Sequence, residues 1–226
     1  LGQYGQVVTT SMHILLYHNK LKKQPDSVSH IMPRRGPGRG ADSLPPLLTK
    51  QGFAAIISAM RSEPIRVIVT GGTFDKHYDE IKGELTFRES HLPEILTRAR
   101  VKVPVMVEMN QLIDSLQMQD ENRLSVLSSC RNSAENLIII THGTDTMTTT
   151  ASLLGKEGLA KTIVLTGAMV PYKVLDSDAL FNFGTAFAAV QLLPAGVYIV
   201  MNGRVFSWDN VRKNRVLGIF EALEAT

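Results

Sequence analysis

The chain alternates between short apolar runs and longer amphipathic stretches from residue 66 onward. Residues 66–70, 137–141, 161–166 and 196–201 are rich in valine and isoleucine with little polar interruption. Runs of this length read as strands buried on both faces. Residues 103–108 form a weaker strand signal of the same kind. Between them lie predicted helices over 91–100, 119–132, 146–155 and 177–193. The last has Ala179, Leu180, Phe183, Ala186, Phe187 and Val190 at helical spacing. Ser90 is placed to cap the first of these helices, and Asp145 or Thr146 the third. Asn202-Gly203 is a hairpin signal, with residues 205–208 as the returning strand. Strands separated by helices predict an α/β fold: a three-layer α/β/α, doubly wound, mainly parallel sheet in a single domain. The expected domain spans residues 64–226.

Residues 1–63 break this pattern. Pro33-Arg34-Arg35-Gly36-Pro37-Gly38-Arg39-Gly40 is basic and aperiodic, and Pro45-Pro46 follows. Such a stretch has too little apolar surface to offset chain entropy. It is expected to be a disordered or non-native basic leader, with Met60 as the natural start. Residues 52–59 carry only a weak helical signal.

Composition adds a charge asymmetry. Residues 1–65 carry a net +5 and residues 66–226 a net −2, within an overall +3. The basic balance therefore belongs to the leader, and the folded part gives no electrostatic case for nucleic-acid binding. No apolar run approaches the ~20 residues of a membrane span. Cys130 is the one cysteine, so neither a disulfide framework nor a multi-cysteine metal site is available. It is expected to be a half-buried helix residue. A cytoplasmic location fits, and ligand spacing suggests no metal and no cofactor.

The chemistry-bearing residues cluster where strands end. The first strand runs into Thr70-Gly71-Gly72-Thr73, and the third into His142-Gly143-Thr144-Asp145-Thr146. In a parallel sheet both loops leave at the carboxyl edge, where ligands bind. Gly71 and Gly72 allow positive φ and a close backbone approach, so Thr73 can stand exposed on a sharp turn. A plain tight turn or a phosphate-binding turn would look similar. Residues 74–80 are polar and long for a connection, as mobile lids are. Asp145 near a helix start is favoured as a carboxylate and could bind an ammonium group; an unliganded cap box is the alternative. His142 reads equally as a packed strand-end residue. Asp114-Ser115 follows the second strand, where the serine is either a ligand contact or a turn residue. Lys213 sits in a basic run, Val211-Arg212-Lys213-Asn214-Arg215. It matters only if it folds back beside Thr144, where a desolvated lysine can take a proton from a hydroxyl or water.

Taken in order, five segments resemble a known family. They are Thr70–Thr73, His142–Met147, Gly167-Ala168-Met169 with Pro171, Asp178 to Asn182, and Val200-Met201-Asn202 with Lys213-Asn214. Residues 66–222 look like the bacterial-type L-asparaginases, threonine-dependent amidohydrolases. The resemblance implies Thr73 as nucleophile, with Thr144, Asp145 and Lys213 activating a hydroxyl. It implies Ser115, Asp145, Tyr78, Ala168, Gly72 and Gly143 as substrate-binding, with Tyr78 in the lid and the Ala168 backbone near the side-chain amide. The implied reaction converts asparagine, or a related small amide, to aspartate and ammonia through an acyl-threonine. The implied partner is that small amide substrate, and the implied assembly a homo-oligomer.

Three features depart from the pattern. The family's usual member has a second, C-terminal domain that completes the site, whereas this chain stops at Thr226; it resembles short, single-domain forms. Asp114-Ser115-Leu116-Gln117 lacks the usual serine-glutamine-aspartate run. Phe74-Asp75-Lys76 replaces small apolar residues, which sets a second cation near Thr73. A weakly active or inactive amino-acid-binding or regulatory module is therefore the alternative. A nucleotide-binding α/β protein ranks last, because neither loop has the required glycine or lysine spacing.

Overall fold

A computed structural model describes residues 63–224. The expected leader, its weak helix at 52–59 and the domain limits at 63 and 226 lie at or beyond the edges of the described residues.

Six strands make the main sheet: β1 (Ile65–Gly71), β4 (Val105–Ile113), β5 (Leu137–Thr141), β6 (Thr162–Thr166), β7 (Gly196–Met201) and β8 (Arg204–Ser207). Their order is β4-β1-β5-β6-β7-β8. All neighbours are parallel except β7 and β8. Helices α1 (Leu92–Arg98), α2 (Asp120–Asn132), α3 (Met147–Lys156) and α4 (Ala179–Val190) connect them.

Alternation along the buried strands assigns each helix to a face. Ile68, Ile138, Ile140, Ile163 and Leu165 pack with Val126, Leu127 and Cys130 of α2 and with Met147, Ala151 and Leu154 of α3. Val67, Val69, Ile139 and Val164 point the other way, against Leu92 and Ile95 of α1 and Phe183, Ala186 and Val190 of α4. A residue period of two thus divides each strand between two cores, as expected for a sheet covered on both sides. The expected three-layer α/β/α architecture is the observed one.

The strand order fixes where a ligand can enter. From β1 the chain moves outward to β4, then returns across β1 to β5 and continues to β6 and β7. The winding direction therefore reverses between β1 and β5. A reversal of this kind leaves a crevice beyond the carboxyl ends of the two strands. The loops after β1 and β5 carry Thr73 and Thr144.

The sequence-based elements and the observed ones differ in four places. Strand β4 runs to Ile113 rather than ending at Glu108. Its polar residues bond to α2: Asn110 Nδ2 donates to Ser125 and Ser129, and Gln111 and Asn122 exchange bonds. The segment expected to be a lid loop instead forms a short 3₁₀ turn (Thr73–Asp75) and a hairpin, β2 (Lys76–Asp79) with β3 (Glu84–Phe87). A second hairpin, β9 (Arg212–Asn214) with β10 (Ile219–Glu221), follows the main sheet. Each of its strands is three residues long, too short for a periodic signal. Finally, Cys130 is fully buried rather than half-buried. Burial pushes its thiol up to about 12, so it is an inert core residue.

At the opposite edge, a polar cluster anchors β1. Arg66 Nε donates to Ser133 Oγ and Glu135 Oε2 at 3.0 and 2.7 Å, and Nη1 donates to Glu108 Oε2 at 2.9 Å. Bonding to Arg66 holds the Glu135 carboxyl down at about 2.

Candidate active site

Four loops meet at the carboxyl edge, and their glycines show how closely. At Gly72, where φ is 76°, an added Cβ would lie 2.4 Å from Cα and N of Gly143. A Cβ on Gly143 would lie 2.5 Å from Cβ and Oγ of Ser115. A Cβ on Gly167 would lie 2.3 Å from the carbonyl oxygen of His142. The turns after β1, β4, β5 and β6 are therefore stacked backbone to backbone. Thr73, Thr144 and Ala168 each follow one of these glycines directly, and Ser115 forms part of the contact itself. Only residues without a side chain allow this approach.

Lys213 provides the central contact. Its Nζ lies 2.8 Å from Thr144 Oγ1 and 2.9 Å from Asp145 Oδ1. The lysine side chain is only 10% exposed, although it comes from a basic run. In the β9–β10 ladder it stands opposite Phe220, which is buried. A chain of amides aims that hairpin. Asn182 donates to the Gly167 carbonyl at 3.1 Å and accepts from the Asn202 backbone at 3.1 Å. Asn202 Oδ1 in turn accepts from the Phe220 backbone at 2.8 Å. The loop after β6, the end of β7 and the Lys213 hairpin are thereby held in one frame.

Thr144 is nearly fully buried, and Thr73 half-buried. A hydroxyl held against an amine that also contacts a carboxylate can pass or receive a proton without reorganisation. Asp145 is paired with Lys213 and makes no cap bond: α3 begins without a side-chain cap bond. Thr146 instead donates to the carbonyl of Ser115 at 2.9 Å, tying the β4 and β5 loops together.

His142 is buried and plays a packing role. Its Nδ1 lies 2.8 Å from the Gly143 carbonyl and its Nε2 2.8 Å from Thr150 Oγ1. The carbonyl can only accept, so Nδ1 carries the proton and Nε2 accepts from the threonine. Burial pushes its pKa down to about 4, which keeps the ring neutral.

The other residues selected from the sequence divide. Ser115 is buried against Gly143, and Ala168 is buried between the Asn182-bonded carbonyl of Gly167 and the backbone N–H of Met169, which donates to Asp178. Tyr78 stands apart: it is 61% exposed on β2, and no hydrogen bond joins it to another described residue of the group. Asn182 and Asn202 are the residues that sequence reasoning leaves without a role in the site. Their signal is an amide at the end of each of two segments that face one another across α4 and β7. Among the described residues, no cluster of three His, Cys, Asp or Glu could hold a metal ion, and no helix is long and apolar enough to cross a membrane.

A family model described as "Asparaginase, N-terminal" matches residues 64–223. The chain belongs to the asparaginase family. It is 28% identical over 166 residues to L-asparaginase 1 of Escherichia coli K12, covering 68% of this chain and 48% of that one. It is 28% identical over 160 residues to the glutaminase-asparaginase of Acinetobacter glutaminasificans, covering 65% and 48%. Among solved structures it resembles the thermostable L-asparaginase of Thermococcus kodakarensis, with a TM-score of 0.65 and 25% identity over 72% of this chain and 52% of that one. The chain thus spans about half the length of the asparaginases it matches.

The stacked glycines of this asparaginase-family site make a direct prediction. Gly143→Ala would drive a methyl group into Ser115. Overpacking of that kind costs about 1–3 kcal/mol. A lowered midpoint in thermal unfolding is the expected result, and an unchanged midpoint would show that the two loops are not in contact.

Proposed function

We propose that this chain hydrolyses the side-chain amide of L-asparagine, or of a closely related small amide, to aspartate and ammonia. The observation that carries this reading is the Lys213 amine, in contact with both Thr144 and Asp145 beside the turn that presents Thr73.

In this reading Thr73 Oγ1 attacks the amide carbon and forms an ester bond. The carbon–nitrogen bond then breaks, and the nitrogen leaves as ammonia with the proton that Thr73 gave up. Water attacks the ester, releases aspartate and restores the hydroxyl. Splitting the hydrolysis this way replaces one difficult step with two easier ones. Thr144, held by Lys213 and Asp145, serves the proton transfers. Ser115 and Asp145 hold the substrate's α-amino and α-carboxylate groups. The Gly72, Gly143 and Ala168 backbone surrounds the amide, and Tyr78 is offered to it from the exposed hairpin that follows Thr73. A homo-oligomer in the cytoplasm, the reducing compartment that a lone buried thiol suits, completes the reading.

Incubating the protein with L-asparagine and following ammonia and aspartate tests it. Equal amounts of both are expected. The exposure of Tyr78, apart from the other candidate residues, favours one other reading, a binding or regulatory module of the same fold. Calorimetric binding of aspartate with no ammonia release from asparagine would select that module instead.

A further inference from the structure

Two charged residues, Asp75 and Lys76, follow Thr73 within one turn, and they hold the chain in different directions. Asp75 faces inward and is fully buried. Its Oδ1 accepts from Ser90 Oγ at 2.9 Å and from the His91 backbone at 3.0 Å, at the start of α1. Phe74 is buried too, with its ring 6.0 Å from that of Phe183, and its carbonyl accepts from the Tyr172 backbone. These contacts fix the turn to the α1/α4 side of the sheet. Toward β4, Gly72 donates its backbone N–H to the Ile113 carbonyl at 3.0 Å, and beyond that bond the contact is made by Lys76.

Lys76 Nζ lies 2.5 Å from Asp114 Oδ2 and 5.8 Å from the centre of the Phe87 ring, its partner across the β2–β3 ladder. Asp114 directly precedes Ser115. Its other oxygen, Oδ1, accepts from the Leu116 backbone at 3.0 Å, which shapes the loop that carries Ser115. One carboxylate thus does two things: it turns the Ser115 loop and holds a cation three residues beyond Thr73. The side chains are 19% and 28% exposed. The pair is therefore partly withdrawn from water, where screening is weaker than for an exposed ion pair. Bonding to Lys76 also holds the Asp114 carboxyl below its ordinary range.

We propose that Lys76 and Asp114 are positioning residues whose ion pair sets the spacing between the Thr73 turn and the Ser115 loop. The proposal rests on the reading that Thr73 attacks a substrate held in part by Ser115. Attack requires the hydroxyl to sit about 3–3.5 Å from the amide carbon, and a misplacement near 1 Å costs about a hundredfold. Backbone contact ties this turn to the end of β4 only as far as Gly72, which bonds to Ile113; past Thr73 the tie to the Ser115 loop is the Lys76–Asp114 pair. The ion pair pins the hairpin at its base and leaves its tip free. Departures from the family pattern at Phe74-Asp75-Lys76 and at Asp114-Ser115-Leu116-Gln117 then have one common explanation. They are the two halves of a single clamp.

The test uses Lys76→Met, Asp114→Asn and the charge-swapped double variant Lys76→Asp/Asp114→Lys in the full chain. Each single variant is expected to lower kcat for asparagine by about ten- to a hundredfold with a much smaller change in KM. The swap restores the ion pair but not the Leu116 bond to Asp114 Oδ1, so it is expected to recover part of that loss. Arg131→Met, which breaks the Arg131–Glu157 pair far from the site, is the control and should leave kcat unchanged. Hydrogen exchange at the amides of residues 73–79 gives a second readout that needs no activity. It should quicken in both single variants and slow again in the swap. If the wild-type protein releases no ammonia, the proposed function fails while the exchange result still decides the clamp. Wild-type exchange in both single variants, or no recovery in the swap by either readout, would overturn the proposal.

Discussion

Replacing Thr73 by alanine is expected to lower ammonia release from asparagine by about a thousandfold or more, equivalent to ~4 kcal/mol of transition-state stabilisation. The expectation follows from the position of the residue. Gly71 and Gly72 both have positive φ, and together they turn the chain out of β1 toward the crevice. Thr73 is the first side chain after that turn. Removing its hydroxyl leaves the neighbours in place, because the turn is held by Phe74, Asp75 and the backbone bond from Gly72 to Ile113 at 3.0 Å. Melting temperature and aspartate binding should therefore be retained while turnover is lost. Thr73→Ser, which keeps the oxygen, should retain measurable activity. Full activity in Thr73→Ala would assign the attack to another group.

The second large effect is expected at Lys213. Lys213→Met removes the side-chain partner that Thr144 and Asp145 share. Asp145 then loses its counter-charge, and Thr144 its proton partner. General acid–base groups contribute about a hundred- to ten-thousandfold, and a loss of kcat in that range is expected. Lys213→Arg discriminates between two roles. A guanidinium preserves charge but stays protonated under all ordinary conditions. If Lys213 only neutralises Asp145, the arginine variant should recover most of the activity. If the amine exchanges a proton with Thr144, it should be as impaired as the methionine variant, and this second outcome is the expected one. Steady-state kinetics on the three proteins separates them.

Fold and site are legible in the sequence to different degrees. The buried strands announce themselves because a sheet covered on both faces needs uninterrupted apolar runs, as in Ile138-Ile139-Ile140. Strand β4 reads too short because Asn110 and Gln111 look like a loop. Their side chains bond to Ser125, Ser129 and Asn122 on α2, contacts that no local pattern contains. The two small hairpins escape pattern reading for a related reason: neither is held by its own apolar periodicity. One is pinned by Lys76 and Asp114, the other by Phe220 and the amides of Asn182 and Asn202. In the site, both threonine loops are readable from glycine placement after apolar strands. Lys213 is not readable from its basic neighbourhood, which suggests exposure; only the resemblance to a family marks it. His142 gives the least specific signal. A histidine beside a glycine can be chemical or structural, and burial with two satisfied nitrogens decides for structure.

The central claim is that Thr73 carries the acyl group during turnover. Rapid acid quenching of the protein with asparagine, followed by proteolysis and peptide mass analysis, measures this directly. The peptide containing Thr73 is expected to gain the mass of one aspartyl group during steady turnover, and Thr73→Ala to show no such gain. Ammonia release with no acylated peptide, or with the acyl group on Thr144 instead, would contradict it.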